Sequence, residues 1–128
     1  VDWVSGAAMF IRGELIDKIG GLDPDYFMYC EDTDFCFRAH TANFDVVYFP
    51  QAVITHAIGR STDRAANKMI VRFHKSMLLF YRKNTLAKTW APIKWVLLVL
   101  AAGALAVRAS LFLSKNFWDA FMRRVRRR

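Results

Sequence analysis

Acidic side chains are almost absent from the second half of this 128-residue sequence. Residues 64–128 hold fifteen basic groups against Asp119 alone, a net charge of +14. Residues 1–63 hold four basic groups against ten acidic ones, a net charge of −6. This asymmetry indicates an acidic part suited to chemistry, followed by a basic part that seeks anions such as lipid headgroups or nucleic acid.

Cysteine is also scarce, since only Cys30 and Cys36 occur. Two cysteines exclude a disulfide-rich secreted scaffold, and a bond between them would distort the helix start that we predict there, so we expect reduced thiols. Cys36 and His40 have the i, i+4 spacing of some metal ligands. Paired C-x(2–4)-C spacing and a clear fourth ligand are both lacking, which disfavours structural zinc.

The sequence has no initiator methionine and starts at Val1, directly on an apolar run. We therefore expect a segment cut from a longer protein.

Three carboxylates crowd into four residues, at Glu31, Asp32 and Asp34, with aromatic residues on both sides. Such crowding is tolerated where a metal, a cationic ligand or proton transfer uses it. A solvated helix N-terminus explains the same pattern, and the acids alone leave both interpretations open.

Periodicity and turn residues predict alternating helices and strands. Helices are expected at Gly13–Ile19, closed by Gly20 and Gly21, at Glu31–Thr41 and, amphipathic, at Arg64–Lys83. Strands are expected at four places. They are Val1–Val4, Ala7–Ile11, Phe44–Phe49 and Ala52–Thr55.

Five short motifs occur in a characteristic order around the acids. They are W-x-S-G-A at 3–7, G-G-L-D at 20–23, Y-F-M-Y-x-E-D-x-D at 26–34, Y-F-P-x-A at 48–52 and H-x-x-G-x-S at 56–61. The series resembles the C-terminal half of the catalytic domain of family 2 glycosyltransferases, in particular the bacterial rhamnosyltransferase-like members. The resemblance covers residues 1 to about 85. Leu22 and Pro24 depart from the family's usual Phe and Glu.

The resemblance implies an α/β fold, namely the C-terminal half of a GT-A (Rossmann-like) domain followed by amphipathic and apolar helices. Residues 1–63 would be the acceptor and metal side of the catalytic domain, 64–88 an amphipathic packing helix, and 89–128 an apolar, membrane-associating helical segment with a basic tail. The missing N-terminal half would bind the nucleotide and carry an Asp-x-Asp metal motif.

The same resemblance assigns catalytic roles to the three acids. Asp32, which follows Glu in the E-D-x-D motif, would be the base that removes the proton of the acceptor hydroxyl. Asp34 would orient the helix start or contact the acceptor or metal-bound water, and Glu31 would hold nearby backbone or the acceptor. The sequence alone would also allow Asp34 or Glu31 to exchange roles with Asp32.

Metal and substrate ligands are implied around the other motifs. His56 would complete the coordination of a divalent metal, Mn²⁺ or Mg²⁺, whose other ligands lie in the missing half; imidazole suits Mn²⁺ better. Arg60 and Ser61 would contact the diphosphate of the donor. Trp3 and Gly6 are candidate substrate-binding positions, with core packing as the alternative for Trp3.

The apolar run near the C-terminus predicts contact with a membrane. Trp95–Val107 contains no charge, and Arg108 is the only charged residue up to Leu113. Aromatic residues flank the run, and the basic tail 123–128 favours anionic lipid. Thirteen uncharged residues are short for a crossing, so we expect an interfacial or re-entrant helix at the cytoplasmic face of a bacterial inner membrane.

The resemblance thus predicts part of an inverting glycosyltransferase of bacterial cell-surface polysaccharide synthesis. It would move a sugar from a nucleotide-sugar donor, dTDP-rhamnose as the best single choice, to a glycan or lipid-linked acceptor, and we expect the isolated segment to be inactive. The alternative is a basic membrane- or nucleic-acid-binding module without catalytic activity. No aromatic-basic RNA motif or known DNA-binding pattern occurs, so nucleic acid is not an expected partner.

Overall fold

The computed structural model describes residues 1–56 and 66–125. Its helices are α1 (Gly13–Ile19), α2 (Glu31–Thr41), α3 (Ala66–Phe80) and α4 (Ala91–Val125), with one π-helical turn at Tyr81–Thr85 after α3. The chain divides into two compact units, Val1–Gly59 and Arg60–Arg128.

The two helices of the first unit have the predicted bounds. Gly20 ends α1 with a φ of 75°, which glycine adopts at little steric cost, and its N–H donates to the carbonyl of Ile16 at 2.8 Å. Immediately before α2, Tyr29 and Cys30 are both left-handed, with φ values of 70° and 65°. Two such non-glycine residues in a row give a sharp entry into α2, which persists only where surrounding contacts hold it.

The core of the first unit lies between α1 and α2. Leu15 on α1 and Phe35 and Ala39 on α2 are buried together. Met9, Ile19, Phe44 and Val46 pack against this cluster. The Nζ of Lys18 also donates to the carbonyl of Ala42 at 2.9 Å, which ties α1 to the end of α2. The core therefore fixes the direction of α2, whose first turn carries the three acids.

None of the four predicted strands is present in residues 1–56. The N-terminal amine of Val1 donates to the carbonyl of Val46 at 2.8 Å, but one such bond is not a ladder. A strand depends on hydrogen bonds from a neighbour, and the described residues supply none in register. Several apolar side chains of these segments are exposed instead, Phe10 completely and Val53 to 89%. An α/β layering is therefore not shown by the part of the chain described.

The second unit contains the packed pair α3 and α4. Helix α3 was predicted as Arg64–Lys83; its predicted start lies outside the described residues, and its α-helical part ends at Phe80. The Nδ2 of Asn116 donates to Oδ1 of Asn67 at 3.0 Å, which joins α4 to the first turns of α3. A mainly apolar cavity of about 190 Å³ lies between the two helices. It is lined by Val71, His74, Lys75, Leu78, Ala102, Leu105, Ala106 and Ala109.

His74 is buried in this pair. Its Nδ1 lies 2.7 Å from the carbonyl of Ile70, one helical turn earlier. Because a carbonyl can only accept, Nδ1 carries the proton in this contact. The ring also lies beside Phe112 of α4, with ring centroids 6.3 Å apart. His74 is therefore part of the packing between α3 and α4.

Helix α4 is far longer than the apolar run that predicted it. Its 35 residues extend about 52 Å at 1.5 Å per residue. Among the described helices it is the one whose length and composition would allow a membrane crossing, and none of its most apolar window is buried. Arg108 interrupts this window, where its Nη1 lies 3.9 Å from the sulfur of Met77 and its guanidinium lies over the ring of Phe112.

Candidate active site

Asp32 is fixed at the first turn of α2 by three hydrogen bonds. Its Oδ2 accepts from the backbone N–H of Gly6 at 2.9 Å. Its Oδ1 accepts from the N–H of Thr33 at 2.7 Å and from the hydroxyl of Thr33 at 3.3 Å. The side chain is half-buried, and the start of a helix favours negative charge. A carboxylate offers about four lone-pair directions, so one remains for another donor.

Gly6 brings the W-x-S-G-A motif against the acidic motif, which lies 26 residues away. A Cβ built at Gly6 would be 3.4 Å from Cβ of Asp32 and 3.6 Å from its Oδ2. A methyl group at this position would be in ordinary van der Waals contact with the Asp32 side chain, so the loop at Gly6 passes close to the carboxylate. The two predicted site positions Gly6 and Asp32 are thus in direct contact.

Asp34 lies in a different environment from Asp32, because it is buried and paired. Its Oδ2 accepts from Nε of Arg38 at 2.7 Å, and its Oδ1 accepts from the hydroxyl of Tyr26 at 3.3 Å. Burial, and then the charge and hydrogen bond of Asp34, raise the pKa of the Tyr26 hydroxyl far above its ordinary value. Of the roles expected for Asp34, this geometry favours orienting the helix start.

Arg38 was not among the predicted site residues, although it reaches three other groups. Besides Asp34, its Nη1 donates to the carbonyl of Ile19 and its Nη2 to that of Gly21, both at 2.9 Å. The i, i+4 spacing of Asp34 and Arg38 on a predicted helix is the signal that could have found the ion pair. The two carbonyl contacts depend on how α1 packs, and no local pattern shows that.

Glu31 and Trp3, two further predicted site residues, have less defined roles. Oε2 of Glu31 is buried and has no hydrogen-bond partner in the described structure. This oxygen therefore does not hold neighbouring backbone, which was one of the roles expected for it. Trp3 is 53% exposed, so it is not a core residue of the described unit.

The residues present do not by themselves form a metal site. Across residues 1–56 and 66–125, no three His, Cys, Asp or Glu side chains are grouped closely enough to hold an ion. His56 is exposed at the end of the first described segment and could supply one imidazole ligand. Arg60 and Ser61, the predicted diphosphate contacts, lie outside the described residues.

Cys30 stands directly before the acids, in an environment that disfavours its thiolate form. Burial, and then the charges of Asp32, Glu31 and Asp34, raise its pKa to about 11. Thiolate is the nucleophile, so its fraction near pH 8 is small and rises as the pH approaches 11.

We therefore expect slow alkylation of Cys30. In a Cys36→Ser variant at pH 8, iodoacetamide should modify Cys30 at least about tenfold more slowly than a free cysteine peptide, whose pKa is about 8.5. The rate should climb steadily between pH 8 and pH 10.5. Mass spectrometry of quenched time points measures it, and a rate equal to that of the peptide at pH 8 contradicts the environment described here.

The family model and the known proteins that the chain resembles are all glycosyltransferases. A family model described as "Glycosyl transferase family group 2" matches residues 1–123. Over all 128 residues the chain is 34% identical to an N-acetylglucosaminyl-diphospho-decaprenol L-rhamnosyltransferase of Mycobacterium tuberculosis, covering 100% of this chain and 39% of that protein. It is 42% identical over 50 residues to rhamnosyltransferase WbbL of Escherichia coli, which covers 39% of this chain and 19% of WbbL.

The low-salt glycan biosynthesis hexosyltransferase Agl10 of Haloferax volcanii is 37% identical over 46 residues, which is 36% of this chain and 15% of Agl10. No solved structure matches the chain. The chain spans about two fifths of the length of the M. tuberculosis relative.

Proposed function

Because this chain belongs to glycosyl transferase family group 2, we propose that it supplies the acceptor side of the catalytic domain of an inverting rhamnosyltransferase. The observation that carries the proposal is the Asp32 carboxylate, fixed by Gly6 and Thr33 with one lone-pair direction left for an acceptor hydroxyl. Two relatives of the chain, from M. tuberculosis and E. coli, are named as rhamnosyltransferases.

In this proposal Asp32 acts as the general base. Its carboxylate takes the proton of the acceptor hydroxyl while that oxygen attacks the anomeric carbon of the donor sugar, and the nucleoside diphosphate leaves from the opposite side. The hydrogen bonds to Gly6 and Thr33 fix the carboxylate before substrate arrives, which removes an orientational cost from the reaction. Asp34 and Glu31 then surround the base without replacing it.

The relatives' names support the choice of sugar and acceptor. The M. tuberculosis relative is named for transfer of L-rhamnose to a diphospho-decaprenol-linked N-acetylglucosamine. We propose dTDP-rhamnose and a lipid-linked glycan as the substrates of the whole protein that contains this chain. A panel of nucleotide sugars, each offered with a polyprenyl-diphosphate-linked N-acetylglucosamine, tests this. Rhamnose should be the sugar transferred, and preferential transfer of another sugar would overturn the donor assignment.

The α/β GT-A fold is proposed for the complete domain. The segments predicted as strands expose large apolar residues, among them Val47, Tyr48 and Phe49. Such side chains are typical of a sheet face that is covered in the full structure. The missing neighbours would come from the N-terminal half, which also supplies the ladder hydrogen bonds that the described segments lack.

His56 is proposed as one ligand of a divalent cation. Such a cation, when bound, neutralises the charge that develops on the diphosphate leaving group. In this chain His56 contributes a single exposed imidazole, consistent with a site completed by residues outside the described part.

Replacing His56 by alanine should therefore weaken metal dependence more than folding. We expect the Mn²⁺ concentration for half-maximal activity to rise about 10- to 100-fold, with partial recovery at high Mn²⁺. His40→Ala is the matched control, because His40 is also exposed and, within the described residues, its Nε2 lies 3.1 Å from the carbonyl of Val1. A metal titration of activity measures both, and identical curves for His56→Ala and the unaltered enzyme would make His56 structural.

Residues 89–128 are proposed to hold the enzyme at the cytoplasmic face of a bacterial inner membrane. Helix α4 exposes Trp95, Val99, Leu111 and Trp118, all more than half accessible. Basic residues Arg123 and Arg124 follow in its last turn. Apolar surface together with basic charge favours anionic lipid and would bring Asp32 near a lipid-linked acceptor.

A further inference from the structure

We propose that Arg38 is a positioning residue for glycosyl transfer, which acts by holding the loop Gly20–Cys30 in the shape that receives the acceptor beside Asp32. The proposal rests on the function proposed above. It adds a residue and a loop that the motif resemblance did not assign.

The guanidinium of Arg38 links three separate parts of the first unit. Nε binds the Asp34 carboxylate at 2.7 Å, while Nη1 and Nη2 bind the carbonyls of Ile19 and Gly21 at 2.9 Å each. The planar guanidinium also lies over the ring of Phe35, 5.3 Å from its centroid. These contacts fix both the end of α1 and the start of the loop to α2.

The Asp34 side chain extends the same connection to the middle of the loop. Its Oδ1 accepts from the hydroxyl of Tyr26, and its backbone N–H donates to the carbonyl of Cys30 at 2.8 Å. Asp34 is almost completely buried, with 1% of its surface accessible. Inside the loop, Tyr26 N–H also donates to the carbonyl of Asp23 at 3.2 Å. Arg38 therefore holds the start of the loop directly, and through the Asp34 side chain it holds the middle of the loop at Tyr26.

The loop has a position and a surface suited to the acceptor. It leads directly into Asp32 through the left-handed residues Tyr29 and Cys30, so any change in its shape moves the first turn of α2. It also exposes Leu22 and Phe27, the latter to 74%. The acceptor hydroxyl must reach the base, so the segment that borders the base lies on the acceptor side of the reaction rather than the donor side.

Lysine cannot replace this arginine. Its single ammonium group keeps the charge but cannot bind one carboxylate and two carbonyls in the fixed geometry of a guanidinium. Arg38→Lys therefore separates the effect of charge from that of positioning. The matched control is Arg12→Lys, because Arg12 is exposed and lies outside the loop and α2.

The test uses the complete transferase that contains this chain, with acceptor and donor varied separately. For Arg38→Lys we expect kcat/KM for the acceptor to fall about 10- to 100-fold, as expected for lost hydrogen bonds to a charged group, while the KM for the donor stays within about twofold. Hydrogen exchange should accelerate at the amides of residues 21–30 and stay unchanged in α3 and α4. Arg12→Lys should match the unaltered enzyme in both measurements.

Two results would overturn the proposal. One is an Arg38→Lys enzyme with unaltered acceptor kinetics and exchange. The other is an equal loss for donor and acceptor with faster exchange throughout the first unit, which is the signature of general destabilisation. If Arg38→Lys fails to fold, Asp34→Asn is used, because it removes the ion pair but leaves the contacts of Arg38 with Ile19 and Gly21. A smaller acceptor-specific loss is then expected, and none would overturn the proposal.

The failure of the proposed function gives a different result. If the unaltered enzyme transfers no sugar to any acceptor, the function is wrong. Hydrogen exchange requires no activity. A comparison of exchange at the amides of residues 21–30 between Arg38→Lys and the unaltered protein therefore still decides whether Arg38 holds the loop.

Discussion

Replacing Asp32 by asparagine lowers the rate of glycosyl transfer in the complete enzyme by about 10²- to 10⁴-fold, the usual effect of removing a general base. Asparagine keeps the shape of the side chain but cannot take a proton from the acceptor hydroxyl. Binding of the donor should change little, because Asp32 is assigned to the acceptor side. Steady-state kinetics and calorimetric titration of the donor measure the two effects separately.

The structure also predicts a small cost in stability for this variant. Both carboxylate oxygens of Asp32 accept hydrogen bonds, from Gly6 and from Thr33, whereas asparagine has one oxygen. One of these bonds is lost, at about 1 kcal/mol. Thermal unfolding therefore has to accompany the kinetics, so that loss of catalysis is not confused with loss of fold.

Asp17→Asn is the matched control, because Asp17 is an exposed carboxylate on α1 away from the site. It should retain the activity of the unaltered enzyme. Activity of Asp32→Asn within a few-fold of the unaltered enzyme would move the base to a neighbouring acid. Glu31 would then be tested first, since Asp34 is buried and occupied by Arg38 and Tyr26.

Deleting residues 90–128 releases the enzyme from anionic membranes almost completely. The deletion removes α4, a 35-residue helix whose most apolar window is not buried in the described structure. Its length of about 52 Å exceeds the roughly 30 Å of a hydrocarbon core, so both a crossing and a position along the interface are geometrically open. Arg108 costs about 2.5–3.5 kcal/mol at the centre of a crossing, which favours the interface.

Liposome flotation of intact and truncated protein measures this effect. The intact protein should float with anionic vesicles, and alkaline carbonate should remove it if α4 lies along the interface. A double variant Arg123→Glu, Arg124→Glu should float less, while Arg12→Gln in the first unit serves as the charge control. If intact and truncated proteins both stay in the soluble fraction, α4 is a packing helix and the membrane proposal is wrong.

Local sequence signals predicted the helices of the first unit to the residue. Gly20 and Gly21 marked the end of α1, and the acids at the start and basic groups at the end of α2 matched its dipole. The four predicted strands are absent from residues 1–56, because a strand requires a hydrogen-bonding neighbour that the described residues do not supply. The apolar residues of these segments were expected to be buried. This holds for those that pack against the α1–α2 core, such as Val46.

At the site, too, sequence motifs predicted which residues are present but not the contacts between residues far apart in the sequence. The motif resemblance named both Gly6 and Asp32, but their hydrogen bond depends on a fold that brings together residues 26 positions apart. Arg38 was missed because two of its three acceptors are backbone carbonyls, at Ile19 and Gly21, which carry no sequence signature. Sequence patterns locate reactive side chains well, whereas the contacts that hold them depend on packing.

The anomeric configuration of the sugar in the product tests the central claim most directly. A single base at Asp32, acting in one displacement, requires that the transferred rhamnose has the configuration opposite to that in the nucleotide donor. Nuclear magnetic resonance of the product made by the complete enzyme should show this inversion, and Asp32→Asn should form product at least about 10²-fold more slowly. A retained configuration, or equal product from both enzymes, would contradict the account.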